Sequence, residues 1–455
     1  MPYLKIIYNF VLIATMFKSA CSFRSLWSTR RQGPKAFLLS TLVESADDWR
    51  LNPALNYIAE FPTWITPKEH CQTVLSAPRV QKYLARIPEL NQRIRLVQSY
   101  NDSHQLVLQS SDVKELPSDV MDFLTNLSID TNGPIYSVPL TCKNWTVARV
   151  LSVVLPPEAQ PPPAAFELIG HIAHFNLKEN HRKHKEVIGQ VILATLPGVE
   201  TVVNKVGEVG GDYRTYEMEV VAGRHDFNVS MQENRICVEF DLRHVYWCTR
   251  LGGERQYMVQ KEFKNGQTIA DPFCGVGALC VLAAKEKKCK ILANDWNPHA
   301  VSACEQNSRI NGVTFDRISC QDAYDFMTDL GLGGHIPHHV VMNYPGEAPK
   351  FLSALRWWPQ PKKNADIVPR FHVYTFAKII DGGSYEQAAV DLVIDQLIPE
   401  GGAAEKTRGR QSEFDRLGCN VKAREIRDVA PGKVVVCVSF SATSQLLRHV
   451  QGDFV

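Results

Sequence analysis

The segment TIADPFCGVGA, residues 268–278, is typical of a short buried strand that leads through a glycine-containing turn into a helix. Ile269 and Ala270 are apolar, and Asp271 ends the strand. Gly275 and Gly277 allow the backbone of the turn to approach a ligand closely, because they carry no side chain. This order of elements predicts the first strand, ligand-binding turn and helix of a Rossmann-like α/β sheet.

The residues that follow continue the alternation of helix and strand. Helices are expected to about residue 287 and over 298–311, with strands at 290–294, 315–319 and 340–342. Open parallel sheets bind their ligands beyond the carboxyl ends of their strands. Four side chains are expected to meet at that edge: Asp271, Asp295, Asp322 and Asn343. For any one of them the alternative role is that of a helix N-cap.

The same turn limits the kind of ligand. An acidic residue at the end of the second strand, here Asp295, can accept two hydrogen bonds from a ribose diol. The third glycine of the dinucleotide fingerprint is missing, since Leu279 and Cys280 follow Ala278. A pyrophosphate therefore fits poorly, and a nucleoside ligand such as S-adenosylmethionine is favoured over NAD.

Length and composition set the frame for the rest of the chain. The 455 residues are 45% hydrophobic and 22% charged, which excludes a disordered or collagen-like chain and suggests about three domains. The 50 Lys and Arg residues nearly balance the 48 Asp and Glu residues. This balance argues against an evenly basic nucleic-acid binder but leaves room for one basic face.

A proline-rich stretch at 156–163 predicts a domain boundary, because it cannot continue a helix or fill a central strand. We expect an N-terminal α+β domain over 45–155, a second α+β domain over 164–262 and the Rossmann-like domain over 266–455. The first has helical patterns at 80–87 and 117–127 and strand-like patterns at 105–109 and 146–154. The second resembles a half-covered antiparallel sheet, and its basic cluster at 178–185 suits either phosphate contact or a solvated helix face.

The first 43 residues contain no Asp or Glu but several Lys and Arg. Such a leader predicts a mitochondrial presequence, while the apolar run at 6–17 leaves a secretory or bipartite plastid leader open. The expected destination is the mitochondrial matrix, with cytoplasm and nucleus kept open as further compartments.

The twelve cysteines include no C-x-x-C pair, so neither a zinc site nor a disulfide framework is predicted. They are expected to be buried free thiols, as at Cys237, Cys274, Cys280 and Cys437.

Five motifs lie between about residues 166 and 440: GHIAHFNL at 170–177, YRTYE at 213–217 followed by Ala222-Gly223, VYWCTRLGGER at 245–255, DPFCGVG at 271–277 and NDWNP at 294–298. In these motifs the chain resembles the tRNA (guanine-37-N1)-methyltransferases of archaea and eukaryotes. It departs from their pattern at 343–345, where Asn-Tyr-Pro replaces Asn-Leu-Pro, and at 278–279, where Ala-Leu replaces Pro-Phe.

The resemblance implies a Rossmann-like class I methyltransferase domain preceded by a small α+β domain and an N-terminal α+β tRNA-binding domain. It also implies S-adenosyl-L-methionine as cofactor and a monomer that binds the tRNA anticodon stem-loop and the tRNA elbow. No membrane association and no metal are expected.

Methylation of guanine N1 removes the N1 proton and builds charge on O6, so it needs a general base and a cationic or hydrogen-bonding partner. The family's positions for these roles correspond to Glu254 as the base and Arg214 as the O6 partner. Tyr246 is assigned to the methionine side or to the flipped base, and Asn343 with Pro345 to the pocket lining. The expected cofactor contacts are Arg255, Asp271, Gly275, Gly277, Asp295, Trp296, Asp322, Ala323 and Asn343.

Three alternatives stay open. A related wybutosine-pathway transferase moves an aminocarboxypropyl group from the same cofactor, and a noncatalytic tRNA-binding relative would keep only the fold. For Glu254 and Arg214, the purely structural alternative is a salt bridge on the smaller sheet. An exocyclic-amine methyltransferase is disfavoured, because residues 343–346 lack its Asn/Asp-Pro-Pro-Tyr/Phe motif.

Overall fold

The computed structural model describes residues 48–210, 213, 215–361, 367–378, 383–398 and 414–452. The predicted leader at 1–43 and the predicted O6 partner Arg214 lie outside these residues. Residues Pro53–Val455 form one compact unit, whose described residues contain four sheets. In the described part of the chain, no helix is both long and apolar enough to cross a membrane.

The first sheet is antiparallel and has the order β2-β3-β1-β4. Its strands are β1 (Tyr57–Pro67), β2 (Val97–Ser99), β3 (His104–Leu108) and β4 (Asp130–Leu140), and the helices beside it are Cys71–Ser76, Pro78–Gln81 and Ser118–Asn126. The predicted strand at 105–109 and helix at 117–127 are confirmed. The predicted helix at 80–87 is wrong beyond Gln81, because Leu84 pairs with Gln109 in an isolated β-bridge instead.

The segment predicted as a strand at 146–154 is a helix, Val147–Val154. Thr146 caps it by accepting a hydrogen bond from the Arg149 N–H, and Val147, Val150 and Leu151 are its buried residues. The β-branched residues suggested a strand, but the cap and the helical spacing of the buried side chains outweigh that preference.

This helix packs against the helix Lys185–Thr195, which lies beyond the proline-rich stretch. The proline-rich stretch therefore does not separate the packing of the two segments. The division of the chain into domains at 45–155, 164–262 and 266–455 stays a prediction.

The second sheet has the order β5-β6-β7-β8. The prediction that this sheet is antiparallel is wrong for one pair of strands. The strands of this sheet are β5 (Phe166–Ile169), β6 (Ile172–Phe175), β7 (Thr201–Gly210) and β8 (Thr215–Gly223). β6 and β7 are parallel, because the helices Glu179–Arg182 and Lys185–Thr195 connect them as a crossover. The strands β9 (Asn228–Glu233) and β10 (Ile236–Asp241) form a separate hairpin rather than part of this sheet.

The basic cluster at 178–185 contributes to this packing. His181 is buried and contacts the Pro161 carbonyl through Nε2 at 3.0 Å, and Lys185 donates to Glu219 at 2.5 Å. Arg182 pairs with Glu179 at the surface. Part of the cluster therefore stabilises the sheet.

The third sheet has seven strands in the order β13-β12-β11-β14-β15-β17-β16. The strands are β11 (Thr268–Asp271), β12 (Lys290–Asn294), β13 (Arg317–Ser319), β14 (His339–Met342), β15 (Arg370–Ala377), β16 (Lys422–Ala430) and β17 (Lys433–Ser441). The pairs from β13 to β15 are parallel, whereas β17 is antiparallel to both β15 and β16. The predicted Rossmann-like order of strands and helices is confirmed.

The helices of this part are Gly252–Tyr257, Ala278–Lys287, Pro298–Ile310, Ala323–Leu332, Tyr385–Leu397 and Ser444–Gln451, with a π-helical turn at Met258–Glu262 and 3₁₀ segments at Thr249–Leu251 and Ala348–Trp357. The shorter 3₁₀ segments are Trp49–Leu51, Lys68–His70, Cys142–Asn144 and Pro157–Ala159. Helix Ala278–Lys287 has buried side chains on nearly all sides, because the sheet and the hairpin β9–β10 both pack against it.

The described cysteines are free thiols, and Cys274, Cys280 and Cys437 are buried as expected. Cys237 is exposed, contrary to the prediction. It lies on β10, where buried Ile236, Val238 and Phe240 alternate with side chains that face away from the core.

Candidate active site

A cavity of about 610 Å³ lies at the carboxyl ends of the parallel strands. Most of the predicted site residues line it: Tyr246, Glu254, Arg255, Asp271, Gly275, Asp295, Trp296, Asp322, Ala323, Asn343 and Pro345. The turns after β11, β12, β13 and β14 thus converge on one space, as the sequence predicts.

Two carboxylates lie at the floor of the cavity, Asp271 at the end of β11 and Asp295 directly after β12. Asp271 is buried and its Oδ1 accepts a hydrogen bond from the Phe273 N–H at 3.0 Å. Burial raises the pKa of Asp271 to about 7; the Phe273 N–H opposes this shift, and the nearby charge of Asp295 adds to it. A proton on Asp271 near neutral pH would reduce the repulsion between these two carboxyl groups.

Asp295 is fixed by two backbone donors. Its Oδ2 accepts from the Gly275 N–H at 2.8 Å and its Oδ1 from the Asn297 N–H at 2.9 Å. Burial raises the pKa of Asp295, and both N–H groups oppose that shift. Because a carboxylate has about four acceptor positions, Asp295 can still accept hydrogen bonds from two hydroxyls of a ribose.

The two glycines of the turn have different surroundings. Gly275 has φ +55°, and nothing lies within 4 Å of where its Cβ would be, so its backbone borders open space. Gly277 has φ +80°, and a Cβ there would lie 2.5 Å from Cys304 Sγ. Gly277, which was predicted as a cofactor contact, is not among the residues that line the cavity. Its missing side chain lets helix Pro298–Ile310 pack closely against the turn.

Asp322 caps the helix Ala323–Leu332, since its Oδ1 accepts from the Tyr324 N–H at 2.7 Å. The N-cap role weighed for the strand-end residues therefore applies to Asp322, which also lines the cavity. Trp296 lies at the mouth with 55% of its surface exposed, and the Tyr213 ring meets it edge-on at 6.2 Å. A flat, exposed aromatic surface thus borders the acidic floor.

The Asn343-Tyr344-Pro345 turn follows β14. The Tyr344 ring stacks on Phe273, with ring centres 5.0 Å apart, and meets Phe351 edge-on. The Pro345 carbonyl accepts from the Phe376 N–H at 3.1 Å, which ties the turn to β15. Tyr344, which stands where the family that the sequence resembles has leucine, is accommodated by stacking on Phe273 in the turn after β11.

Glu254 lies on the short helix Gly252–Tyr257 and is only 8% exposed. Its carboxylate accepts from Arg424 Nη1 at 2.8 Å, from Arg424 Nη2 at 2.7 Å and from the Tyr374 hydroxyl at 2.6 Å. The proposed structural alternative was an ion pair with Arg214, whereas the described partner of Glu254 is Arg424 on β16. No local sequence pattern indicates this pair, because the two residues are 170 positions apart.

The strand register explains how Tyr374 and Arg424 reach the same carboxylate. Tyr374 on β15 and Arg424 on β16 are both direct neighbours of Cys437 on β17, the strand that lies between them. Residues in one such row point to the same face of a sheet. Burial raises the pKa of Cys437 to about 12, and the nearby charge of Glu254 adds to this shift.

Arg427 lines the cavity, although no sequence motif marks it. On β17 it pairs with Val435, two residues from Cys437, the neighbour of Arg424. A β-bulge between Glu425 and Arg427 places Arg427 on the same face of the sheet as Arg424. Arg255, in contrast, donates to Glu233 at 2.7 and 2.6 Å and lies over the Trp247 ring, so its guanidinium is already occupied. Among the described residues Arg427 has no carboxylate partner.

Tyr246 lies at the cavity with 47% of its surface exposed, which places it near the entrance. No group of three or more metal-binding side chains occurs among the described residues. The cavity therefore combines an acidic floor, aromatic walls and a buried carboxylate held by an arginine.

Two family models match the chain. The TYW2 N-terminal domain matches residues 147–226, and the TRM5/TYW2 methyltransferase domain matches residues 229–374. The second range contains most of the cavity residues, including Glu254, Asp271, Asp295 and Asn343.

Solved structures share the fold. The chain is similar to Trm5b from Pyrococcus abyssi (TM-score 0.58, 20% identity, 83% of this chain and 98% of that chain). It is also similar to aTrm5 solved in complex with tRNALeu (TM-score 0.56, 19% identity, 83% of this chain and 99% of that chain). At this identity they support the fold alone.

Curated relatives are closer in sequence. A tRNA (guanine(37)-N(1))-methyltransferase 2 of Phaeodactylum tricornutum is 43% identical over 86% of this chain and 76% of its own length. Two further relatives carry the name tRNA (guanine(37)-N(1))-methyltransferase. The one in Danio rerio is 32% identical over 77% of this chain and 72% of its own length. The one in Drosophila melanogaster is 30% identical over 87% of this chain and 84% of its own length. With this identity over most of its length, the chain belongs to the tRNA (guanine(37)-N(1))-methyltransferase family.

Proposed function

We propose that this protein transfers a methyl group from S-adenosylmethionine to N1 of guanosine 37 in tRNA. The observation that carries the proposal is that the acidic strand-end turns and the buried Glu254 carboxylate line one cavity. A donor and a base acceptor must meet in one space for methyl transfer. The names of the relatives supply the substrate, since each is a tRNA (guanine(37)-N(1))-methyltransferase.

The parallel half of the cavity fits S-adenosylmethionine. Asp295 has acceptor positions left for the ribose hydroxyls, Gly275 offers open space beside its backbone, and Trp296 presents an exposed ring at the mouth. The carboxylates also attract the positive sulfonium of the donor. When bound, the cofactor supplies an electrophilic methyl group.

In this mechanism Glu254 takes the N1 proton of guanine, and Arg214 stabilises the charge that builds on O6. Glu254 borders the cavity, while Arg214 follows the described Tyr213, whose ring also borders it. Guanine N1 lies on the Watson–Crick edge, so the base must be turned out of the anticodon loop to reach the cavity. Tyr246, half-exposed at the cavity, provides an aromatic surface for such a base.

The test is to measure methyl transfer by Glu254→Ala and Arg214→Ala. Each variant is expected to lose about 10²- to 10⁴-fold in rate, the usual contribution of a general base or a charge-stabilising group. S-adenosylmethionine binding, measured by isothermal titration, is expected to stay unchanged. Glu347→Ala is the matched control, because Glu347 also lines the cavity but pairs with Lys350 at the surface.

Near-normal turnover by either Glu254→Ala or Arg214→Ala would contradict the assignment of that residue. A loss of cofactor binding in Glu254→Ala would place Glu254 with the cofactor instead of the guanine.

The wybutosine-pathway aminocarboxypropyl transferase stays the second candidate, because one matching family model is the TYW2 N-terminal domain. The mass of the group added to tRNA separates the two reactions. A noncatalytic tRNA-binding role would require that isothermal titration detect no S-adenosylmethionine binding.

We propose further that a monomer contacts both the anticodon stem-loop and the tRNA elbow, with the N-terminal sheet β1–β4 at the elbow. This predicts a higher kcat/KM for full-length tRNA than for an isolated anticodon stem-loop, and equal values would contradict it. Sedimentation analysis of the full chain tests the monomer.

The acid-free segment at 1–43 is proposed to direct the protein to the mitochondrial matrix, with cytoplasm and nucleus as further compartments. Imaging of a fluorescent fusion with and without these residues tests this. Unchanged distribution after their removal would contradict it.

A further inference from the structure

The base proposed above is held from the antiparallel half of the large sheet, by residues that no sequence motif marks. The Arg424 guanidinium grips both oxygens of Glu254, and the Tyr374 hydroxyl donates to Oε1. Tyr374 is 1% exposed, and burial raises its pKa well above the usual value, so it stays a protonated donor. The Glu254 carboxylate is therefore fixed at three of its acceptor positions.

The acceptor positions of the Glu254 carboxylate determine where a proton can be taken up. A carboxylate has about four acceptor positions, two on each oxygen. Among the described residues, Oε1 accepts from Tyr374 and from Arg424 Nη2, whereas Oε2 accepts only from Arg424 Nη1. The remaining position is on Oε2, so this is the oxygen available to the N1 proton.

We propose that Arg424 is a positioning residue for methyl transfer, which holds Glu254 so that Oε2 receives the N1 proton. This inference rests on the proposed function of Glu254 as the base. In the step, the N1–H bond breaks and an O–H bond forms at Oε2. The electron pair stays on N1 and forms the new bond to the methyl group, whose former bonding pair remains on the donor sulfur.

Arg424 acts through Glu254 rather than by touching the substrate. It is not among the residues that line the cavity, and its guanidinium lies over the Tyr257 ring at 3.9 Å. A guanidinium is suited to this task, because its planar fork binds both oxygens of a carboxylate and so fixes the rotation of the group. The ammonium of a lysine would supply the charge but not the two-point grip.

The test is a double-mutant cycle with Arg424→Met and Glu254→Gln, measured as single-turnover methyl transfer to tRNA. Arg424→Met is expected to lower the rate about 10- to 100-fold, the loss that follows when a reacting group is misplaced by up to an ångström. The tRNA KM and the affinity for S-adenosylmethionine are expected to stay unchanged, and Arg424→Lys to recover part of the rate. In the Glu254→Gln background, Arg424→Met is expected to cause no further loss.

Arg317→Met is the matched control. Arg317 also pairs with a carboxylate, Asp329, lies over a ring, Phe326, and has a similarly exposed side chain (32% against 35%). Its partner Asp329 does not line the cavity, whereas Glu254, the partner of Arg424, does. The rate of Arg317→Met is expected to equal that of the wild type. A comparable loss in Arg317→Met would show that the effect of Arg424→Met is general destabilisation, and would overturn the proposal.

A loss that persists in the Glu254→Gln background, or a raised tRNA KM, would also overturn it, because Arg424 would then act on the RNA or on the fold. If Arg424→Met does not fold, the same cycle is measured with Arg424→Lys and with Tyr374→Phe. A loss of rate that disappears in the Glu254→Gln background supports the proposal, and a loss that persists there overturns it. If Glu254→Gln itself keeps the wild-type rate, the proposed base is wrong. If only Arg424→Met keeps it, the positioning role alone is wrong.

Discussion

The two halves of the seven-stranded sheet contribute to the cavity in different ways. In the parallel half, polar residues lie in the turns that follow β11, β12, β13 and β14. In the antiparallel half, Tyr374, Arg424 and Arg427 lie within strands β15 and β16. The parallel half contributes carboxylates to the cavity, whereas the antiparallel half contributes Arg427 and holds Glu254 through Tyr374 and Arg424. We propose that the parallel half serves the positively charged cofactor and that the antiparallel half serves the base and the anionic RNA.

Removing a carboxylate from the parallel half is expected to have the largest effect on cofactor affinity. Asp295→Ala removes the acceptor proposed for the ribose hydroxyls. It also removes the carboxylate to which the N–H groups of Gly275 and Asn297 donate. We expect S-adenosylmethionine to bind about 10- to 100-fold more weakly, since hydrogen bonds to a charged group contribute roughly 1.5–3 kcal/mol. Isothermal titration measures this change.

Asp329→Ala is the control for this prediction, because Asp329 pairs with Arg317 and does not line the cavity. If Asp295→Ala binds the cofactor as the wild type does but turns over slowly, the assignment of the parallel half to the cofactor breaks down.

Removing a cation from the antiparallel half is expected to have a smaller effect, and on the RNA instead. Arg427 lines the cavity without a carboxylate partner among the described residues, so it is available to an anionic group of the target nucleotide. Arg427→Ala is expected to raise the tRNA KM several-fold. If the group is a phosphate, the slope of log KM against log salt concentration should fall by about one.

The affinity of Arg427→Ala for S-adenosylmethionine is expected to equal that of the wild type. Arg309→Ala serves as control, because Arg309 is an exposed arginine on helix Pro298–Ile310 that pairs with Glu305. Weaker cofactor binding by Arg427→Ala would mean that the two halves are not separate in function.

The same difference explains what the sequence could predict. A polar residue directly after an apolar strand can be recognised without knowing the fold, because the edge of a parallel sheet brings such residues together. Asp271, Asp295, Asp322 and Asn343 were all placed in this way. Their local roles were harder to predict: Gly277 packs against Cys304, and Asp322 also caps a helix.

Residues within strands carry no such signal. Tyr374 and Arg424 meet at Glu254 only because β17 inserts between β15 and β16, and Arg427 joins their face only because of a bulge. Register and bulges depend on long-range pairing, which a local pattern does not contain. The helix Val147–Val154 and the parallel pair β6–β7 were mispredicted for related reasons, since a cap outweighed β-branched residues and a crossover helix set the strand direction.

The central claim is that this chain methylates N1 of guanosine 37. The most direct measurement incubates the full chain with labelled S-adenosylmethionine and a tRNA transcript that carries either guanosine or adenosine at position 37, followed by nucleoside analysis. We expect labelled 1-methylguanosine from the guanosine transcript and no label from the adenosine transcript. An aminocarboxypropyl adduct, label at another nucleoside, or equal labelling of both transcripts would contradict the claim.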